Sequence, residues 1–302
     1  MASGQRLYSP MPPLHALLHH LIDFAGLFPP AGLDLGTAAA DYASYRAGSD
    51  NWALGRFIIP AARLAELNAA LQSATFPHHE SPWRLSAIAG TDLATDLLAI
   101  EQFNAARGRA VVDTIELKVA NTGAISQALA SIAGRVDAYM EVPITEDPAD
   151  LIEAVRQGGG RAKVRTGGVT ADAFPSPTQL LRFLRRCRDA GVAFKATAGL
   201  HHPLRGAYRL TYEPDSGCAV MFGFLNVFLA AAFLEHGMGD DEALALLEES
   251  SPNSLRFEDD AAWWRSHRLG VAELRLARRF ANAFGSCSFR EPLDDLRAMR
   301  LL

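Results

Sequence analysis

The chain has 302 residues, 49% of them hydrophobic and 21% charged, with a formal net charge of -5. A chain of that length and composition buries a large core and is not disordered, and its mild acidity without a basic run removes nucleic acid from the expected partners. Its three cysteines, Cys187, Cys218 and Cys287, are far apart, odd in number and without a CxxC pair, so the expected setting is reduced and cytoplasmic.

One pattern repeats along the chain: a short apolar run, a Gly, Pro or polar break, then helical periodicity. The start, 1–13, holds one arginine and no unbroken apolar core, unlike a secretory signal. A helix over 14–21 and a first strand over 22–28, stopped by Pro29-Pro30, precede a helix over 35–45. A second strand over 56–60 leads to a helix over 61–73, and 77–82 reads as a loop. A third strand over 83–89 is followed by a helix over 92–107, a fourth over 114–119 by a helix over 124–133, and a fifth over 137–142 by a helix over 148–157. Two lysine-bearing runs, 161–168 and 192–199, supply strands six and seven around a helix over 177–190. The almost wholly apolar run 218–234 is shorter than the roughly 20 residues a bilayer needs, so it reads as a buried helix and no membrane partner is expected. An eighth strand over 254–258 and a long helix over 263–284 complete the count.

Eight strands alternating with helices predict an α/β fold, a single (β/α)8 TIM-type barrel over 1–302, with 1–21 as an N-terminal extension and helix and 285–302 as a C-terminal tail. An open doubly wound sheet would want a GxGxxG turn after its first strand, and the sequence has none there.

In a barrel, alternate residues of each strand point inward and reactive groups gather at the C-terminal ends. That parity puts Glu116 and Lys118 on one face of strand four, Tyr139 and Glu141 on one face of strand five, Lys163 and Arg165 in strand six, and Lys195 and Thr197 in strand seven. Four consecutive strands thus turn ionisable residues inward and apolar ones toward the helices. The bland alternative is a salt-bridge network filling a polar core, with Glu116 and Glu141 neutralising Lys163 and Lys195. Buried ion pairs are seldom better for stability than apolar packing, so a charged reaction pocket for a small anionic substrate is the preferred reading.

A lysine desolvated beside another cation is expected to lose its proton more readily and to attack a carbonyl, giving a Schiff base. Lys163, with Arg165 on its own strand and Lys195 on the next, is the candidate nucleophile, and Lys195 its electrostatic partner. Glu141, or alternatively Glu116, would shuttle protons, assisted by Tyr139 or a water. The turns Thr166-Gly167-Gly168 and Thr197-Ala198-Gly199 offer backbone N–H groups to an anion, although glycine also simply ends strands.

The run Lys163-Val164-Arg165-Thr166-Gly167 resembles the strand-six Lys-x-x-Thr-Gly signature of deoxyribose-phosphate aldolases and related class I aldolases, and Phe194-Lys195-Ala196-Thr197-Ala198-Gly199 is similar to their strand-seven lysine motif. The resemblance covers about twenty residues. It implies a carbon–carbon lyase in which the first lysine forms the Schiff base, the second lowers its pKa, and a strand-four aspartate moves protons. Here strand four offers Glu116 and Lys118 instead of an aspartate, and Ala198-Gly199 stands where the family has Gly-Gly. A Schiff-base mechanism needs no cofactor, and the sequence carries no cofactor fingerprint.

Two rivals stand beside this reading. His201 and His202, just past strand seven, with Glu116, Glu141 and Asp259, form a candidate ligand set for a metal-dependent lyase or hydrolase, although no HxH or HExxH spacing accompanies them. The other rival is a barrel that binds a small anion without turning it over. His15 and His19 fall on one helical face and read as capping or surface residues, and His78-His79 sits in the loop. The stretch 284–289 reads as a tight turn around Cys287. Trp263-Trp264 and the arginines Arg275, Arg278 and Arg279 read as a helix surface, solvated or shared with a second copy in a homo-oligomer.

Overall fold

The computed structural model describes residues 12–73, 81–258 and 260–302. Outside the described residues lie Asp259, the loop histidines His78 and His79 with most of their loop, and nearly all of the N-terminal extension.

Seven parallel strands lie side by side in chain order: β1 (Ile22–Phe24), β2 (Leu54–Pro60), β3 (Trp83–Ile88), β4 (Ala110–Lys118), β5 (Asp137–Glu141), β6 (Arg161–Arg165) and β7 (Phe194–Thr197). Five further strands among the described residues stand outside this sheet. They form a hairpin of β8 (Gly206–Arg209) and β9 (Cys218–Met221), and an antiparallel sheet of β10 (Leu255–Glu258), β11 (Ala261–Trp264) and β12 (His267–Gly270). Strand β13 (Ala281–Ser286) then slots between β7 and β1 and closes the barrel, which is the expected (β/α)8 architecture.

Helix boundaries follow local chemistry. The Asp34 side chain accepts from Thr37 N at the start of Leu35–Ala47, and Asn121 accepts from Ala124 N at the start of Thr122–Ile132. Ser176 and Gln179 make a reciprocal capping box on Pro177–Ala190, whose chain enters through Pro177. The apolar run expected as one buried helix divides: 218–221 forms the partly exposed strand β9, and the helix Phe224–Glu235 is buried on all sides except at its last residue, with Phe224 stacked on Phe284 and Phe228 on Phe194. Its one buried polar residue is satisfied: Asn226 Nδ2 donates to Leu246 O and Glu249 O, and its Oδ1 accepts from Arg205 N. Among the described residues no helix is long and apolar enough to cross a membrane.

The eighth barrel strand is not the predicted one. Residues 254–258 contain β10, which pairs antiparallel with β11, and the predicted helix 263–284 is broken into β11, β12, a short helix Val271–Ala277, and β13. Arg265, at φ +52°, reverses the chain between β11 and β12, a conformation a continuing helix cannot hold. Trp264 is buried and donates through Nε1 to Glu249 Oε2, so the Trp-Trp pair follows the period-two alternation of a strand. The expected arginine-rich helix face is also absent. The helix ends at Ala277, and Arg278 turns in to donate to Asn282 O at 2.6 Å. The predicted tail 285–302 likewise holds the end of β13 and the helix Arg290–Ala298.

Candidate functional site

Strand register sets the layers of the barrel interior. Lys118 lies opposite Glu141, Glu141 opposite Lys163, Lys163 opposite Lys195, and Arg165 opposite Thr197. Long polar side chains from neighbouring strands therefore converge at the C-terminal end, where a cavity of about 460 Å³ opens. Lys118, Glu116, Glu141, Lys163, Arg165 and Thr197 all line it, as the parity argument expects.

One carboxylate joins the two lysines. Lys195 Nζ donates to Glu116 Oε1 and to Asp23 Oδ2, each at 2.6 Å, and Ser86 Oγ donates to Glu116 Oε1 at 2.6 Å. Lys163 Nζ lies 2.8 Å from Glu116 Oε2 and 2.8 Å from Glu141 Oε2. At Glu116 Oε2 that contact is an ion pair by distance, off the axis of a well-formed hydrogen bond. Arg165 Nε donates to Glu141 Oε1 at 3.1 Å from a side chain that is 51% exposed. The chain of contacts runs from the barrel floor to solvent as Asp23, Lys195, Glu116, Lys163, Glu141 and Arg165, with three negative and three positive charges.

The two lysines differ in access. Lys195 is fully enclosed and does not line the cavity, whereas Lys163 opens onto it. Burial works against the Lys195 ammonium, but Asp23 and Glu116 outweigh it and hold that amine above the ordinary lysine range. Burial likewise works against the Glu116 anion, and Lys163 and Lys195 overcome it, holding the carboxyl well below its usual range. Glu141 is lowered in the same way by Lys163 and Arg165 against its own desolvation. The expected direct pressing of one cation on the other is absent, because Glu116 stands between the amines and pairs with both.

Several predicted site residues point elsewhere. Tyr139 sits one layer deeper than Glu141, and its hydroxyl donates to Asn282 Oδ1 at 2.8 Å, so it offers Lys195 its ring face at 5.5 Å and sends no hydroxyl into the cavity. Thr166 is buried and its hydroxyl donates to Ala198 O at 2.6 Å, tying the loop after β6 to the loop after β7. Gly167 and Gly199 are needed for that tie. A Cβ on Gly199, whose φ is +74°, would meet Gly167 Cα at 2.9 Å, and one on Gly167 would meet Phe174 at 2.4 Å. Gly168 and Gly199 border the cavity, and Gly167 does not.

The adjacent histidines diverge. His201 borders the cavity, with Nδ1 3.2 Å from Glu291 Oε2 and 3.9 Å from Cys287 Sγ. Burial favours its neutral ring, but Cys287 and Glu291 push His201 up to about 9. His202 leaves the cavity, stacks on Tyr208 at 3.6 Å and pairs with Asp295 at 2.6 Å. His201 thus shares the cavity with Glu116 and Glu141, whereas His202 does not. Among the described residues, no three His, Cys, Asp or Glu side chains gather as a metal ion would need.

Sequence reasoning missed Asp23, Ser86 and the group of Cys287, Glu291 and Tyr212, whose hydroxyl donates to Glu291 Oε2 at 3.1 Å. Asp23 carried a usable signal, since a lone carboxylate between Ile22 and Phe24 in a strand poses the same desolvation question as the lysines. The Cys287 group draws on residues far apart in the chain, and no local spacing announces it. The sequence matches no family model and no curated protein.

Proposed function

We propose that the protein is a Schiff-base-forming lyase of the class I aldolase type, acting on a small anionic carbonyl compound. The observation that carries this reading is the asymmetry of the two lysines. Lys163 meets the cavity between two carboxylates, while Lys195 lies sealed beneath it as a fixed cation. A network that only filled a polar core would have no need of a cavity above one of its two amines.

In this mechanism Lys163 passes a proton by way of Glu141 to solvent and attacks the substrate carbonyl as the free amine. The carbinolamine takes a proton on its hydroxyl, loses water and becomes an iminium. A carboxylate then removes the proton of the β-hydroxyl, the carbon–carbon bond breaks, an aldehyde leaves, and the electron pair passes into an enamine. Protonation and hydrolysis of that enamine release the second product and restore the amine. Glu141 suits the proton shuttle, because its second partner is the exposed Arg165, which can move. Glu116 holds Ser86 and both lysines and acts as the fixed anion. Arg165 and Lys118 at the mouth attract the anionic end of the substrate.

Borohydride reduction in the presence of aldehydes, ketones and sugar phosphates, followed by peptide mass spectrometry, tests the proposal. An adduct on Lys163 that disappears in Lys163→Met is the expected result. An adduct on Lys118 or Lys195 would reassign the nucleophile. No adduct with any probe, together with stabilisation by the same anions, would leave a binding barrel and overturn the lyase.

A further inference from the structure

The cavity has two unlike sides. Its charged and hydroxyl-bearing walls come from four consecutive strands, β4 to β7. The other four strands, β13, β1, β2 and β3, with the turn after β1, present Phe28, Pro30, Ile58, Ile88, Ala89 and Gly285. From the hairpin of β8 and β9, Met221 and the neighbouring Leu210 close over the mouth. On this second side the polar side chains among the described lining residues are the Cys287 thiol and, 3.9 Å from it, the His201 ring, which sits beside Pro30, Leu210 and Met221. Asp23 and Ser86 belong to these strands but lie below the cavity, turned to Lys195 and Glu116.

A polyhydroxylated sugar chain laid against Phe28, Ile58 and Ile88 would lose water from its hydroxyls and find no side-chain amide or carboxylate to replace it, the Cys287 thiol and His201 ring being the polar groups on that side. A hydrocarbon or aromatic segment loses nothing polar there and gains for each carbon buried. Gly285 lets β13 pack closely beside this wall, because a Cβ at that position would come within 3.1 Å of Ile58 Cδ1 and 3.4 Å of Thr197 Oγ1.

We infer that the ligand of this cavity is an amphipathic oxo acid, with its anion toward Arg165 and Lys118, its carbonyl at Lys163, and an alkyl or aryl segment against Phe28, Ile58 and Ile88. The inference rests on the Schiff-base reading for the carbonyl and on the apolar half of the barrel for the rest. Amine and carbonyl condense with loss of water, and borohydride delivers hydride to the iminium carbon, leaving a secondary amine.

The test is a series of trapping reactions on the intact protein with pyruvate, 2-oxobutyrate, 2-oxohexanoate and phenylpyruvate, alongside deoxyribose 5-phosphate and glyceraldehyde 3-phosphate. The half-saturating concentration is expected to fall about fourfold for each buried methylene, with phenylpyruvate well below pyruvate and both sugar phosphates above the longer oxo acids. The replacement Ile58→Thr should flatten this dependence. A flat series, or sugar phosphates saturating first while Lys163 is still labelled, would overturn the inference and leave the lyase standing. If no probe labels Lys163, the lyase fails, and thermal stabilisation by the same series still decides the ligand. A rise with chain length would support the amphipathic acid, and no rise would refute it.

Discussion

Strands β4 to β7 and strands β13 to β3 obey the same alternation rule, yet the two halves of the barrel mouth are held by different forces. In the first half the inward side chains are long, charged and mutually dependent, because each buried ion is tolerable only beside its partner. In the second half they are short or apolar, and each contributes according to the area it buries. Damage should therefore be steep and cooperative on one side and graded on the other. A reactive amine also benefits from this division, since one wall can manage protons while the other excludes water.

Lys195→Met should have the largest effect, because it leaves Asp23 and Glu116 buried without their shared cation. A loss of about 3–5 kcal/mol in chemical denaturation is expected, and a loss near 1 kcal/mol would mean that the charged half is less interdependent than its geometry implies. Acid should come next. Glu116 and Glu141 titrate below their ordinary range in the folded protein, so their stabilisation is complete above the unfolded carboxylate value of about 4.3 and is lost as pH falls through the folded values. Unfolding scans should show a decline below about pH 4 on the order of 2–3 kcal/mol, which Glu116→Gln reduces. Lys195 has the opposite sign. Its raised value keeps its contribution intact up to about pH 10.4, beyond which it is lost as pH rises through the folded value.

On the apolar side, Ile58→Ala should cost about 2 kcal/mol, at the low end for a buried isoleucine because the side chain already borders a cavity. A steeper loss, matching Lys195→Met, would erase the contrast between the halves. The smallest stability effect belongs to Arg165→Gln, a half-exposed partner whose removal should change unfolding by about 0–1 kcal/mol. The same replacement should raise the half-saturating concentration of every anionic probe in the trapping assay. No such rise would take Arg165 out of anion binding.

The charged half was legible in the sequence because strands announce themselves by period two, and an ionisable residue in that rhythm stands out against apolar neighbours. Glu116, Glu141, Lys163 and Lys195 could be assigned to one interior from parity alone. Depth was not legible. Tyr139 shares the parity of Glu141 but lies a layer lower, where its hydroxyl meets Asn282 instead of substrate. The closing strand was lost for a related reason. Phe284-Gly285-Ser286 has the composition of a turn, and only the proximity of Ile58 and Thr197, contributed from distant parts of the chain, explains a glycine inside a strand there. Antiparallel pairing of β11 with β10 and β12 is likewise nonlocal, so a Trp-Trp step in an Ala- and Arg-rich stretch passed for helix.

The enclosure of Lys195 has a consequence for time as well as for energy. Its ammonium is bonded to two carboxylates, covered by the Tyr139 ring and cut off from bulk water, so its protons can leave only when the barrel opens locally. In nitrogen-15 spectra that ammonium should give a separate, slowly exchanging signal under conditions where surface lysines average with solvent. The rate at which the signal fades in heavy water would then time the opening of the barrel floor, read from one side chain.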